Sequence, residues 1–315
     1  MKYQAQITYN SKNIILWGEQ NNYLKTMLKK IGKNISFAGV FKDDGFSADR
    51  ENGWKKFSVE DLKSIENPVI IIADENIECI KRKVKYLREE NLQYDHISNY
   101  GNEISVQILD ALNYNDYTDY LENHICFDKE IRGNGKILIK KCNDSAAGNI
   151  IELGKVLVVE SLSIYLFGKS SSIKMGDSSC QQVSLLINTN GSISIGDDCM
   201  LSRGIHIAQP DQHLIFDLHT KERININKNI DIGNHVWIGR TVQILGGCFI
   251  ADNCVVGACS VTSGKFYERN CIIAGSPATV IRRDIIWARD DQTNDFQTYF
   301  ECSDKAALKY LNDDE

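Results

Sequence analysis

The residues best suited to chemistry lie in one stretch, PDQHLIFDLHTKERININKNIDIGNHVWIGR, which sets Asp211 two positions before His213 and leads on to Trp237. A neutral imidazole, with an unperturbed pKa of about 6.5, takes a proton from an attacking hydroxyl near neutral pH, so His213 is the candidate general base. Asp211 is placed to orient that ring or to stabilise the imidazolium. A lone loop histidine is more often merely solvated; the DxH spacing, the broken pattern around it and the downstream WIG together favour the functional reading. Metal chemistry is the rival, because His206, His213, His219 and His235 crowd one part of the chain. Metal sites want three or four convergent ligands, and no HxH or HExxH spacing occurs, so no metal is expected. Thiol chemistry is a further option for a chain with ten Cys. Cys248 and Cys254, however, fall where small packed side chains are wanted, and buried thiols are inert.

A repeat must position these residues. From about residue 131 helical spacing gives way to short alternating strings, and then Ile226, Ile232, Ile238, Ile244, Ile250 and Val256 stand six residues apart. Four residues after each come Ile230, Val236, Val242, Cys248, Cys254 and Ser260, and upstream the same step links Ile195, Leu201 and Ile207. A period of six fits neither a helix face nor a lone strand. It fits a coil with three flat sides, each side turning one large aliphatic inward, with strands stacked along the axis about 4.8 Å apart. Between Ile207 and Ile226 the register is interrupted by about nineteen residues, and a loop carrying Asp211 and His213 leaves the coil there. Trp237 precedes the inward Ile238, so it points outward. A large ring in that position needs a ligand or a second subunit to cover it.

Ahead of the repeat the pattern is different. The runs NIILWG, ISFAGVF and PVIIIAD alternate with helical spacing, and Ser58 followed by Asp61 reads as a capped helix start. That alternation predicts a small Rossmann-like α/β domain over 1–100. Its first turn reads Gly18-Glu19-Gln20-Asn21-Asn22, without the glycines that bring a backbone close to a pyrophosphate. Residues 101–130 read as a helical linker, 131–283 as the coil domain and 284–315 as a C-terminal helical tail.

Composition excludes several classes. Forty-three per cent apolar and 25 per cent charged residues are ordinary globular values, and a net charge of −6 gives no reason to expect a nucleic acid partner. No CxxC occurs, and the opening MKYQAQITYNSKNIILW lacks a basic then apolar leader, so a cytoplasmic protein with reduced thiols is expected. Forty Ile and only 3 Pro lean towards strands whose N–H groups are nearly all paired.

Residues 195–283, with IGDDCM, IGNHVWIG, VVGACSV and IAGSPATVIRR, resemble the left-handed β-helix (hexapeptide-repeat) acyltransferases. Within that family the DxH, the IFD-type extruded loop and the HVWIG string are similar to those of bacterial capsule and lipopolysaccharide O-acetyltransferases, including those acting on polysialic acid. The resemblance implies an O-acetyltransferase moving an acetyl group from acetyl-CoA to a hydroxyl of a cell-surface carbohydrate, as in capsule polysaccharide biosynthesis. It implies a homotrimer with the active site between subunits, Trp237 lining the acyl site, and room for peripheral association with a membrane. Coenzyme A would meet the backbone near Gly239, Gly257 and Ala258 and the side chain of Ser260. The family's terminal GNPAKVI-like string often carries a basic residue for the coenzyme phosphates, but Thr279 stands there, leaving Lys265, Arg282 or Arg283 to substitute. The runner-up activity is N-acetylation of a nucleotide-linked amino sugar; further alternatives are a zinc β-helix enzyme and a non-catalytic scaffold.

Overall fold

The computed structural model describes residues 14–17, 39–41, 50–51, 54–65, 68–74, 76–96, 103–112, 114–119, 121–128, 131–143 and 145–289. The chain divides into two compact units, 1–122 with 139–141, and 123–138 with 142–315.

In the first unit six strands order as Arg50–Glu51, Trp54–Phe57, Gly39–Phe41, Ile14–Trp17, Val69–Ile72 and Gln93–His96. All pairs are parallel except the short Arg50–Glu51 edge. Val69–Ile72 is buried along its whole length, which is why it reads as an unbroken apolar run. Helix Val59–Ser64 starts at a capping box, in which the Ser58 hydroxyl accepts from the Asp61 N–H while the Asp61 carboxylate accepts from the Ser58 N–H. Helix Ile77–Glu89 turns Ile80, Val84 and Leu87 inward. The turn 18–22 lies outside the described residues.

The second unit is a parallel β-helix. On one side strands stack as His124–Phe127, Ile150–Leu153, Ser172–Met175, Ser192–Ile195, Ile230–Ile232, Phe249–Ile250 and Lys265–Phe266. The longer strands Leu157–Leu166, Ser179–Ile187 and Met200–Ala208 bend across the other two sides. Above them these sides separate into Trp237–Ile238 under Val255–Val256, and Gln243–Leu245 under Val261–Thr262. The inward ladder is fully buried at Ile232, Val236, Ile238, Val242, Ile244, Cys248, Ile250, Cys254 and Val256.

Two expectations need correction, and a third falls among the described residues only at its edge. Ile226 keeps the six-residue step but is 58% exposed, because the chain rejoins the coil only at Ile230. The segment 101–130 is not a continuous helix: only Val106–Ala111 is helical, while Asp116–Thr118 and His124–Phe127 are strands. There a period-two pattern buries Ile125 and Phe127 in the first coil, and that packing decides the local structure. Of the expected helical tail, residues 284–289 are non-helical, and the remainder lies outside the described residues. Among the described residues no helix is long and apolar enough to cross a membrane.

Candidate active site

The excursion is measured by strand register. Leu201 pairs with Ile238, 37 positions on, whereas Ile238 pairs with Val256, 18 on, so nineteen extra residues leave the coil between them. They form a hairpin. Phe216 bridges Arg223 antiparallel, the Ile224 N–H donates to the Ile215 carbonyl at 2.9 Å, and the Asp217 carboxylate accepts from the N–H groups of His219 and Thr220 at the tip. Those N–H donors favour the ionised form and hold the Asp217 carboxyl below the usual range.

His213 stands at the root of this hairpin. Its side chain is exposed and no group among the described residues bonds its ring. Among the described residues no hydrogen bond joins the Asp211 carboxylate to that ring within one chain. That carboxylate instead accepts from the Asn225 side-chain amide at 3.1 Å, and the same amide donates to the His213 carbonyl at 2.7 Å. The Asn225 oxygen accepts from the Ile215 N–H at 2.8 Å and from Arg223 Nε at 3.3 Å. Asn225 therefore knots both strands of the hairpin to its root and fixes where the His213 backbone stands. Sequence reasoning missed it, since an Asn in an alternating polar string carries no signal of a contact twelve residues back.

Trp237 lies on the coil, outward and 37% exposed beside the buried Ile238. No hydrogen bond or ring contact joins it to His213 within one chain. It stands in an outward row in which Met200 pairs with Trp237, Trp237 with Val255, Val255 with Ile272, and Ile272 with Arg282. At the strand spacing of about 4.8 Å, Arg282 stands roughly 14 Å along that row from Trp237. Arg282 is exposed and has no ion pair among the described residues, whereas Arg283 is held by Glu268 at 2.8 Å. Lys265, also exposed, belongs to a different side, in the row of Asp231 and Phe249.

The backbone candidates separate as well. The N–H groups of Gly239 and Gly257 are spent on the coil above, donating to Val256 and Ile273 carbonyls at 2.8 Å, so neither is available to a ligand. A Cβ at Gly239 would come within 2.7 Å of the Ala258 nitrogen, which explains the glycine by coil stacking. The Ser260 hydroxyl is buried, donating to the Gly257 carbonyl at 2.7 Å and accepting from the Gly275 N–H. Ala258 is exposed, and no acceptor among the described residues takes its N–H.

The histidines do not converge. His206 sits on a strand between Ser184 and Gln243, where burial lowers its pKa, and His219 is at the hairpin tip. His235 is fully buried, with Nδ1 2.6 Å from an Asp198 carboxylate oxygen and Nε2 3.1 Å from the Trp287 carbonyl. Both ring nitrogens thus face oxygen partners, so the imidazole is fixed in place from two sides. Among the described residues no group of three or more His, Cys, Asp or Glu could hold a metal ion. The buried coil thiols suit packing: burial pushes Cys180, Cys199 and Cys254 up to about 12 and Cys248 up to about 11.

No protein-family model matches the chain. It is 40% identical over 112 residues to a polysialic acid O-acetyltransferase of Escherichia coli O1:K1, a match covering 36% of each chain. It is 50% identical over 105 residues to a polysialic acid O-acetyltransferase of Neisseria meningitidis, covering 33% of this chain and 49% of that one. The chain thus spans between about a third and a half of the length of these curated relatives. The solved polysialic acid O-acetyltransferase OatWY matches at 31% identity with a TM-score of 0.49, over 60% of this chain and 85% of that one. The chain resembles the bacterial O-acetyltransferases of capsule polysaccharides.

Proposed function

We propose that this chain is an O-acetyltransferase that moves an acetyl group from acetyl-CoA to a hydroxyl of a cell-surface carbohydrate. The observation that carries the reading is the exposed His213 imidazole, unbonded at the root of a hairpin whose backbone Asn225 holds in place. In the reaction the acceptor oxygen attacks the thioester carbonyl carbon as His213 takes the hydroxyl proton. The C–S bond then breaks and the imidazolium returns the proton to the coenzyme sulfur, with no covalent acyl-enzyme. Trp237 walls the acyl site, the Ala258 N–H is available to the coenzyme or the developing oxyanion, and Arg282, further along the Trp237 row, meets a coenzyme phosphate.

The acceptor proposed is a sialic acid-containing polysaccharide, since that is the substrate in the names of the relatives. The assembly proposed is a homotrimer. Leu214, Ile215, Phe216, Leu218, Ile224 and Ile226 are exposed on the excursion, Leu218 by 81%, and a hairpin so apolar needs a neighbouring copy to cover it. That copy would bring its own Trp237 to His213 and complete the site between subunits.

Thiol release from acetyl-CoA, measured with sialic acid-containing and with neutral oligosaccharides, tests the reading. His213→Ala is expected to lower turnover on the order of 10² to 10⁴-fold while light scattering still reads a trimer. Near-normal turnover in that variant removes the base assignment, and no release with any carbohydrate removes the activity.

A further inference from the structure

Past Arg282 the chain turns back and descends the coil stack. The Ile285 N–H donates to the Asn270 carbonyl at 2.9 Å, Trp287 lies on His235, and Arg289 reaches the lower coils of Asp198, Cys199 and Ser179. The strap follows one corner of the coil, where Asp198, His235, Asn253 and Asn270 stack with φ of 56, 50, 61 and 57°. Asn, Asp and His tolerate that left-handed conformation, which accounts for the residue types. Only His235 in this column offers a ring.

Trp287 is held on every side. It stacks on His235 with centroids 4.1 Å apart and planes 15° from parallel, its Nε1 donates to the His235 carbonyl at 2.8 Å, and the Arg289 guanidinium lies 5.7 Å from its ring centroid. Its other ring contact among the described residues is Trp237, 6.0 Å away at 43°. Among the described residues Trp237 has no other aromatic neighbour, and it is over a third exposed, so its rotamer depends on what stands beside it.

We propose that Trp287 is a positioning residue: anchored through His235 and Arg289, it buttresses the Trp237 ring and sets the wall against which the acetyl thioester lies. The inference rests on the role given above to Trp237. A side chain misplaced by about 1 Å costs up to roughly 10²-fold in rate or binding, so the buttress matters most for the donor.

The test is steady-state kinetics of the full chain with each substrate varied in turn. Trp287→Ala is expected to raise the KM for acetyl-CoA on the order of ten- to a hundredfold and leave the KM for the acceptor in place. Trp287→Phe, which keeps a ring against Trp237, should recover most of the loss; a purely structural role would not separate the two substrates or respond to that rescue. A folded Trp287→Ala protein with an unchanged acetyl-CoA KM, or a loss spread equally over both substrates, overturns the proposal. Should Trp287→Ala not fold, Arg289→Ala loosens the strap from its exposed end, and there too an unchanged acetyl-CoA KM overturns it. Calorimetry of the wild type with coenzyme A separates the two claims. Absent binding defeats the acetyl-transfer reading and this one with it, whereas normal binding and turnover beside unaffected variants defeats the buttress alone.

Discussion

Replacing His235 tests how the C-terminal strap is held, with a magnitude that follows from its contacts. Breaking a buried ion pair from one side costs about 3–5 kcal/mol where the other charge is left alone. Asp198 is not left alone: its side chain is 26% exposed, and Arg289 Nε stays 3.0 Å from its other oxygen. The loss is therefore the charge-assisted bond to Asp198, about 2 kcal/mol, the Nε2 bond to the Trp287 carbonyl, about 1 kcal/mol, and the stack on Trp287, about 1 kcal/mol. His235→Asn keeps a residue suited to φ of 50° and should lose at least these, about 4 kcal/mol. His235→Ala adds left-handed strain of about 1 kcal/mol. For a unit of this size each kcal/mol moves Tm by roughly 2–4 °C, so the Asn variant should melt roughly 8–16 °C lower and the Ala variant a few degrees lower again. Circular dichroism melts read the shift, and tryptic cleavage after Arg289 should quicken well below Tm. A Tm within about 2 °C of wild type, with unchanged cleavage, would refute the claim that the imidazole pins the strap.

Two further outcomes follow from charge and burial. Burial pushes the Asp198 carboxyl upward, but the His235 bond and the Arg289 charge outweigh it and hold it below its usual value of 3.8. A lowered folded pKa means stability present above the unfolded value and lost as pH falls, so the Tm gap between wild type and Asp198→Asn should narrow below about pH 4; a gap constant down to pH 2 would contradict this. Among the thiols, exposed Cys142 and Cys259 should alkylate in the native protein at pH 8, whereas Cys180, Cys199, Cys248 and Cys254, raised by burial, should label only on unfolding. Native labelling of Cys248 or Cys254 with loss of turnover would reopen a thiol acyl-enzyme.

The six-residue period determined the β-helix, because one inward aliphatic per side is a local requirement that each coil repeats, and the ladder from Ile232 to Val256 shows it without gaps. It also determined that the chain leaves the coil near His213, since an insertion disturbs a period wherever it falls. The same period misled at Ile226, where spacing alone cannot tell a rung from a hairpin residue six positions before one. Lower in the stack it was silent. There Ile125, Ile151, Ile173 and Ile193 pair across coils of 26, 22 and 20 residues, and bulges absorb the excess. What only tertiary structure decided are contacts between residues far apart in the chain. Asn225 reaches Asp211 across the hairpin, His235 meets Trp287 from 52 positions away, and Arg289 meets Asp198 from 91. Such pairs leave no period and no spacing to read, because nothing local requires them. They exist because stacking coils brings one corner into a column, and the returning chain finds that column already formed.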